Sequence, residues 1–175
     1  MAKRSRVQIQ GDEMKLLSEL KKNANENLDT IAKHCGFSTQ KTSKMKKQLE
    51  SNGMIWGYSA IFDEEKTGTT HFMLMIKRTN EKLDEKTIDK ICSIKLEELT
   101  EELGITIETS AYVHGEYDWV LTFTAENIIT AKKFVEKLIN LYPSGTKRIT
   151  ILQTLMFIRK HYILNPDRQN LKEFM

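Results

Sequence analysis

The feature that most constrains this chain is a change of hydrophobic period between residues 53 and 70. Before it the apolar residues follow helical spacing. Met14, Leu17 and Leu20 recur at i, i+3, i+6 behind Asp12 and Glu13, whose charges suit the positive end of a helix dipole. Asn27 is placed to cap a short second helix through Ile31 and Ala32, which Gly36 ends because glycine accepts left-handed backbone angles. Phe37 packs in the turn, and Ser38 caps a third helix that runs through Thr42, Met45 and Leu49 and stops at Asn52-Gly53. Residues 54–62 are rich in strand formers and predict a β-wing against the three helices, a winged helix-turn-helix.

From Thr69 onward the pattern alternates between strand and helix. Strands are predicted at 71–78, 105–114, 117–125 and 148–158, and helices at 87–103 and 128–142, with Gly115-Glu116 as the turn between two neighbouring strands. Each helix carries one apolar stripe: Ile88, Ile91, Cys92, Leu96, Leu99 and Leu103 in the first, Ala131, Val135, Leu138 and Tyr142 in the second. The βαββαβ order with both helices on one side predicts a ferredoxin-like antiparallel sheet, so the fold class is α+β. If Phe72, Leu74, Ile76, Trp119, Leu121 and Phe123 face the helices, the other face presents His71, Met73, Met75, Tyr112, His114 and Val120. An apolar second face predicts cover by another copy of the chain, hence a homodimer, and whether dimers assemble further into a tetramer or octamer stays open. The competing expectation is a monomer whose tail, 164–175, folds back over that face.

Composition removes other classes. Leu, Ile, Val and Phe supply 45 of 175 residues, enough for a core and above the level at which disorder is expected. Cys35 and Cys92 form no CxxC pair and have no histidine at zinc spacing, so neither a disulfide scaffold nor a structural metal is expected. The start Met1 to Arg6 resembles a signal n-region only until Gln8, Gln10, Asp12 and Glu13 replace the apolar run that export requires. No apolar stretch approaches membrane-spanning length. The expectation is a cytoplasmic protein without a membrane partner.

Charge is informative by position. Residues 1–56 hold 11 Lys/Arg against 6 Asp/Glu, whereas 57–175 hold 16 against 18, so a +5 front adjoins a −2 remainder. A basic front points to an anionic partner, and a solvated Lys-rich surface is the plainer alternative. On a helical wheel Thr42, Met45 and Leu49 turn inward and leave Gln40, Ser43, Lys44 and Lys47 on the opposite face. Lys suits phosphates and guanine, Gln suits adenine, and a helix fits the major groove of double-stranded DNA. The candidate DNA-binding set is Ser38, Gln40, Lys41, Ser43, Lys44 and Lys47, on a recognition helix over 38–52. A three-helix protein-interaction domain of the same shape stays open.

The ordered signatures Asp12-Glu13-Met14-Lys15-Leu16-Leu17-Ser18-Glu19-Leu20, Leu28-Asp29-Thr30-Ile31-Ala32, Gly36-Phe37-Ser38 and Leu49-Glu50-Ser51-Asn52-Gly53-Met54-Ile55-Trp56-Gly57-Tyr58 are joined by Phe62-Asp63 and Thr67-Gly68. Together they resemble the Lrp/AsnC (feast/famine) transcription regulators. The family usually carries an apolar residue at the place of Lys46 and a basic one at Met45. The exchange implies either a slightly rotated helix or a Lys46 whose stem lies on the core while its ammonium reaches solvent. The resemblance implies residues 1–62 as DNA-binding domain with a basic N-terminal arm, 63–68 as linker, 69–162 as effector-binding and oligomerisation domain, and 163–175 as tail.

It also implies an effector loop. Gly115-Glu116-Tyr117-Asp118 is similar to the family's Gly-x-Tyr-Asp pattern, which implies that Gly115 admits close approach, Tyr117 forms a wall and Asp118 accepts the ammonium of a small amino acid, with Thr154 as a further contact. The bland alternative for the loop is a strand-connecting turn. No catalytic residue and no cofactor is expected. Two other functions remain open. Siroheme-type tetrapyrrole decarboxylases resemble the same two-domain layout and would use His71 and His114 near carboxylates. A DNA-free ligand sensor would follow if the Lys46 exchange disabled the third helix.

Overall fold

The computed structural model describes residues 5–93, 95–142 and 146–175, leaving out the side chains of Lys90, Cys92 and Lys95. The chain divides into two compact units: Met1–Ile61 together with Ile158–Met175, and Phe62–Phe157.

The first unit is built on α1 (Arg6–Lys22), α2 (Leu28–Cys35) and α3 (Thr39–Ser51). The first helix starts a turn and a half earlier than Asp12. Ser5 and Gln8 form a reciprocal capping box, which satisfies the first free amides, and a single exposed Gly11 does not interrupt the helix. Lys3 and Arg4 of the expected basic arm lie outside the described residues, and Arg6 is already helical. Asn27 and Ser38 cap α2 and α3 with their side chains. Gly36 and Gly53 end these helices at φ 70° and 75°, a region open to glycine, and the next amides bond back to the Ala32 and Leu49 carbonyls at 2.8 and 3.0 Å. The core is Leu16, Leu20, Ile31, Cys35 and Leu49, with Leu17, Phe37, Met45 and Ile55 partly buried against it. Met14, expected inside, is exposed.

Residues 54–61 form no strand, so the expected wing does not form within the chain. A strand needs an edge to pair with. The one ladder in this unit, among the described residues, is a small hairpin further on, β5 (Arg159–Lys160) with β6 (Ile163–Leu164), turning at His161 with φ 51°. Tyr58 is instead fixed by its hydroxyl, which donates to Glu50 at 2.9 Å. The tail belongs with the helices, not with the sheet: Lys21 of α1 has its ammonium 5.9 Å from the Tyr162 ring centre.

The second unit runs through β1 (Thr70–Arg78), α4 (Glu85–Cys92), α5 (Lys95–Glu101), β2 (Thr106–Tyr112), β3 (Trp119–Ala125), α6 (Ile128–Leu141) and β4 (Thr146–Gln153). Its sheet order, β2-β3-β1-β4 with antiparallel neighbours, is the ferredoxin-like arrangement. The predicted first helix is two helices, and β4 ends five residues before 158. Phe72, Leu74, Ile76, Trp119, Leu121 and Phe123 are all buried against Ala131, Phe134 and Leu138 of α6, as their alternation requires. Phe123 stacks on Phe72 at 5.6 Å and meets Phe134 edge-on at 4.9 Å. Each such side chain removed from water contributes roughly 1.5–3 kcal/mol. Among the described residues no helix is long and apolar enough to cross a membrane.

Tyr112 corrects the expected second face. Ile107 pairs with Phe123 and Thr109 with Thr122, so Glu108 is one residue too many for the ladder. A one-residue bulge reverses every later side chain. Tyr112 consequently pairs with Trp119 and stacks on it at 5.7 Å on the helix side. The open face carries Met73, Met75 and Val120, joined by Ala111, Thr122, Thr150 and Leu152.

Candidate functional site

On α3, Gln40, Lys44 and Lys47 are exposed and Ser43 is half-buried. Their neighbours hold the helix in place. The Ser38 hydroxyl accepts the Lys41 amide at 3.2 Å, and the Thr42 hydroxyl, fully buried, donates back to the Ser38 carbonyl at 3.1 Å. Lys41 reaches backwards: its ammonium lies 2.5 Å from Asp12 and 3.5 Å from the centre of the Phe37 ring. An ammonium so engaged has its charge largely compensated inside the module. Of the six residues selected from sequence, Gln40, Lys44 and Lys47 thus form an outward row, while Ser38 and Lys41 brace the turn.

The Met45 and Lys46 exchange has a definite geometry. Met45 packs on the core, and the half-buried Lys46 places its ammonium 4.7 Å from the centre of the Tyr58 ring. Desolvation and the hydrogen bond to Glu50 push the Tyr58 hydroxyl up to about 12, so it remains a neutral donor to Glu50 at physiological pH. The outward row of Gln40, Lys44 and Lys47 is kept, and it is the Lys46 ammonium that rests on the aromatic ring.

In the second unit the loop 113–118 joins β2 to β3. Space beside Gly115 is open: a Cβ added there meets nothing within 4 Å. Tyr117 is half-buried, its hydroxyl accepting from Arg148 at 2.6 Å and lying 3.3 Å from the Thr150 hydroxyl. Asp118 is already engaged. Its carboxylate accepts the Arg78 backbone N–H at 2.9 Å and pairs with Lys77 at 3.1 Å, and these interactions, the amide first, hold its carboxyl below the usual range. Thr154 lies elsewhere, at the far end of β1, where its hydroxyl is 2.6 Å from His71 Nδ1.

Sequence reading missed Lys77, Glu116 and Arg148. Lys77 and Arg148 are cross-strand partners, a pairing of like charges that is costly unless neutralised. Asp118 and Glu116 neutralise them, the latter at 2.6 Å from Arg148. No local motif signals this, because the four residues converge only when β1 lies between β3 and β4.

The histidines do not converge. His71 sits near the start of β1, buried between Thr154, the edge of Phe157 at 4.7 Å and Glu108 at 3.4 Å from its Nε2. His114 is in the turn beyond the other end of the strands, about six residues or roughly 20 Å away. The shared open face that the decarboxylase alternative needs from this pair is absent.

A three-helix helix-turn-helix unit joined to a ferredoxin-like sheet is an architecture also found among solved bacterial transcriptional regulators. The chain matches an AsnC family transcriptional regulator from Agrobacterium tumefaciens at TM-score 0.62 and 17% identity, over 94% of this chain and 98% of that one. It matches a transcriptional regulator from Neisseria meningitidis, solved as an L-Met complex, at TM-score 0.64 and 16% identity, over 90% and 97%. A feast or famine regulatory protein from M. tuberculosis, complexed with L-methionine, matches at TM-score 0.64 and 22% identity, over 89% and 99%. No protein-family model and no curated protein sequence matches the chain. The fold is that of the Lrp/AsnC regulators.

Proposed function

We propose that the chain is a sequence-specific DNA-binding transcriptional regulator, dimeric through its sheet and modulated by a small amino acid. The observation that carries this reading is the row Gln40, Lys44 and Lys47, outward on a helix whose N-terminus is fixed by Ser38, Lys41 and Asp12. A helix held rigidly with amide and ammonium groups projecting from one face suits base edges and phosphates in a major groove. Two such helices related by a dimer axis read half-sites about 10 base pairs, roughly 34 Å, apart or a multiple of that.

The open sheet face supports the dimer. Met73, Met75, Val120 and Leu152 leave apolar surface that a second copy would bury. The fold's L-methionine-bound neighbours support an amino-acid effector, and the Gly115-Glu116-Tyr117-Asp118 pattern supports the loop as its location. An effector ammonium reaching Asp118 exchanges with Lys77. On this reading the role is regulatory and not enzymatic, and it is exercised in the cytoplasm.

Selection of genomic fragments by the purified chain, repeated across salt and amino-acid concentrations, tests the proposal. A recurring motif whose retention falls steeply with salt and shifts with one amino acid is the expected result. Recovery without sequence preference at every salt concentration overturns it.

A further inference from the structure

The cross-strand cations Lys77 and Arg148 lie side by side on the open face, roughly 5 Å apart at their Cα atoms. The 113–118 loop supplies each with a carboxylate, Asp118 to Lys77 at 3.1 Å and Glu116 to Arg148 at 2.6 Å. The two pairs differ in how firmly they are held. Asp118 is also tied to the Arg78 amide, whereas the Glu116 side chain is 73% exposed and, among the described residues, bonds to Arg148 alone.

Arg148 keeps its place without Glu116. Its Nη2 donates to the Tyr117 hydroxyl at 2.6 Å, its guanidinium carbon lies 5.1 Å from the centre of the Tyr117 ring, and that hydroxyl lies 3.3 Å from the Thr150 hydroxyl. Both bonds of the guanidinium leave from Nη2, so the rest of its planar fork meets no acceptor among the described residues. Glu116 thus meets Arg148 end-on, through a single nitrogen. An exposed ion pair of this kind stabilises little, and a carboxylate that engages two guanidinium nitrogens gains a second, parallel hydrogen bond.

An α-amino acid carries its ammonium and its carboxylate on one carbon. Here Lys77 occupies Asp118 as that ammonium would, and beside it Glu116 occupies Arg148 as that carboxylate would. We infer that Arg148, braced by Tyr117, receives the α-carboxylate of the effector and that Glu116 is the internal competitor the effector displaces. The inference rests on the reading of the loop as an effector site. It adds a selection for a free α-carboxylate and a residue, Glu116, that sets the effector concentration needed.

The twenty amino acids are titrated by calorimetry into the full chain, and the one bound most tightly becomes the probe, beside its own C-terminal carboxamide. Arg148→Gln is expected to weaken the amino acid about 10- to 100-fold, the range of a hydrogen bond to a charged group, and to leave the already weak carboxamide unchanged. Glu116→Gln is expected to tighten the amino acid several-fold and not the carboxamide, because the competing charge is gone; a pair that only held the loop in shape would lose affinity instead. If Arg148→Gln does not fold, Glu116→Gln with the two ligands decides. Equal weakening of both ligands by Arg148→Gln, or a Glu116→Gln variant that binds no better than the parent, overturns the assignment. Parent-like binding in Arg148→Gln together with loss in Asp118→Ala overturns it while keeping the effector reading, and an absence of heat from every amino acid removes both.

Discussion

The Lys77 ammonium lies 3.1 Å from the Asp118 carboxylate, at the foot of the loop that would hold an effector. Asp118 also accepts the Arg78 amide, so it fastens the loop to the end of β1 before any ligand arrives. With Lys77→Met this internal cation is gone, and an amino acid whose ammonium uses Asp118 should bind several-fold more tightly by calorimetry. Unchanged heats in Lys77→Met would place the ammonium site elsewhere.

The same carboxylate sets a pH dependence. Its folded-state value is lowered, so its contribution to stability is present above the ordinary Asp range and is lost as pH falls through the depressed value. Asp118→Asn should be less stable than the parent at neutral pH, and the gap should close below about pH 4. Urea midpoints measured across that range check it.

On α3 the lysines should separate into two kinds. Lys44→Ala and Lys47→Ala are expected to weaken DNA binding and to flatten its salt dependence by up to about one unit of slope for each phosphate no longer neutralised. Lys41→Ala should instead cost the helical unit about 1 kcal/mol, because the Asp12 pair and the packing on Phe37 go with it, and should change the slope little. Denaturation and mobility-shift titrations of the same variants distinguish them.

Met75→Lys or Val120→Glu should lower the oligomeric state while the helices of the first unit stay folded, because a charge on this face loses apolar burial and incurs desolvation. Light scattering with circular dichroism reads both. A wild-type chain that scatters as a monomer well above micromolar concentration removes the basis for the sheet-mediated dimer.

Thr154→Val should destabilise the second unit by about 1–3 kcal/mol, since it removes the 2.6 Å hydrogen bond to buried His71 while keeping the side chain's volume. Thermal melting measures this. An amino-acid affinity that falls with no loss of stability would return Thr154 to the effector site.

Much of the architecture comes from local chemistry. Asn27, Ser38, Gly36 and Gly53 mark helix ends because capping and left-handed backbone are properties of single residues. The alternation of Phe72, Leu74 and Ile76 identifies the covered sheet face because a strand's period is two. The outward row Gln40, Lys44 and Lys47 is legible for a similar reason, from helical period alone. Tertiary structure decided the features that depend on partners distant in sequence. Glu108 becomes a bulge only against β3, and that one residue carries Tyr112 to the other face. The 54–61 segment has strand-forming residues but pairs with no strand among the described residues, so propensity alone produced no wing. Lys41 and Asp118 look free in sequence, yet Asp12 lies 29 residues from the first and Arg78 lies 40 from the second. Electrostatic pairing acts through space, and the order β2-β3-β1-β4 determines which charges meet.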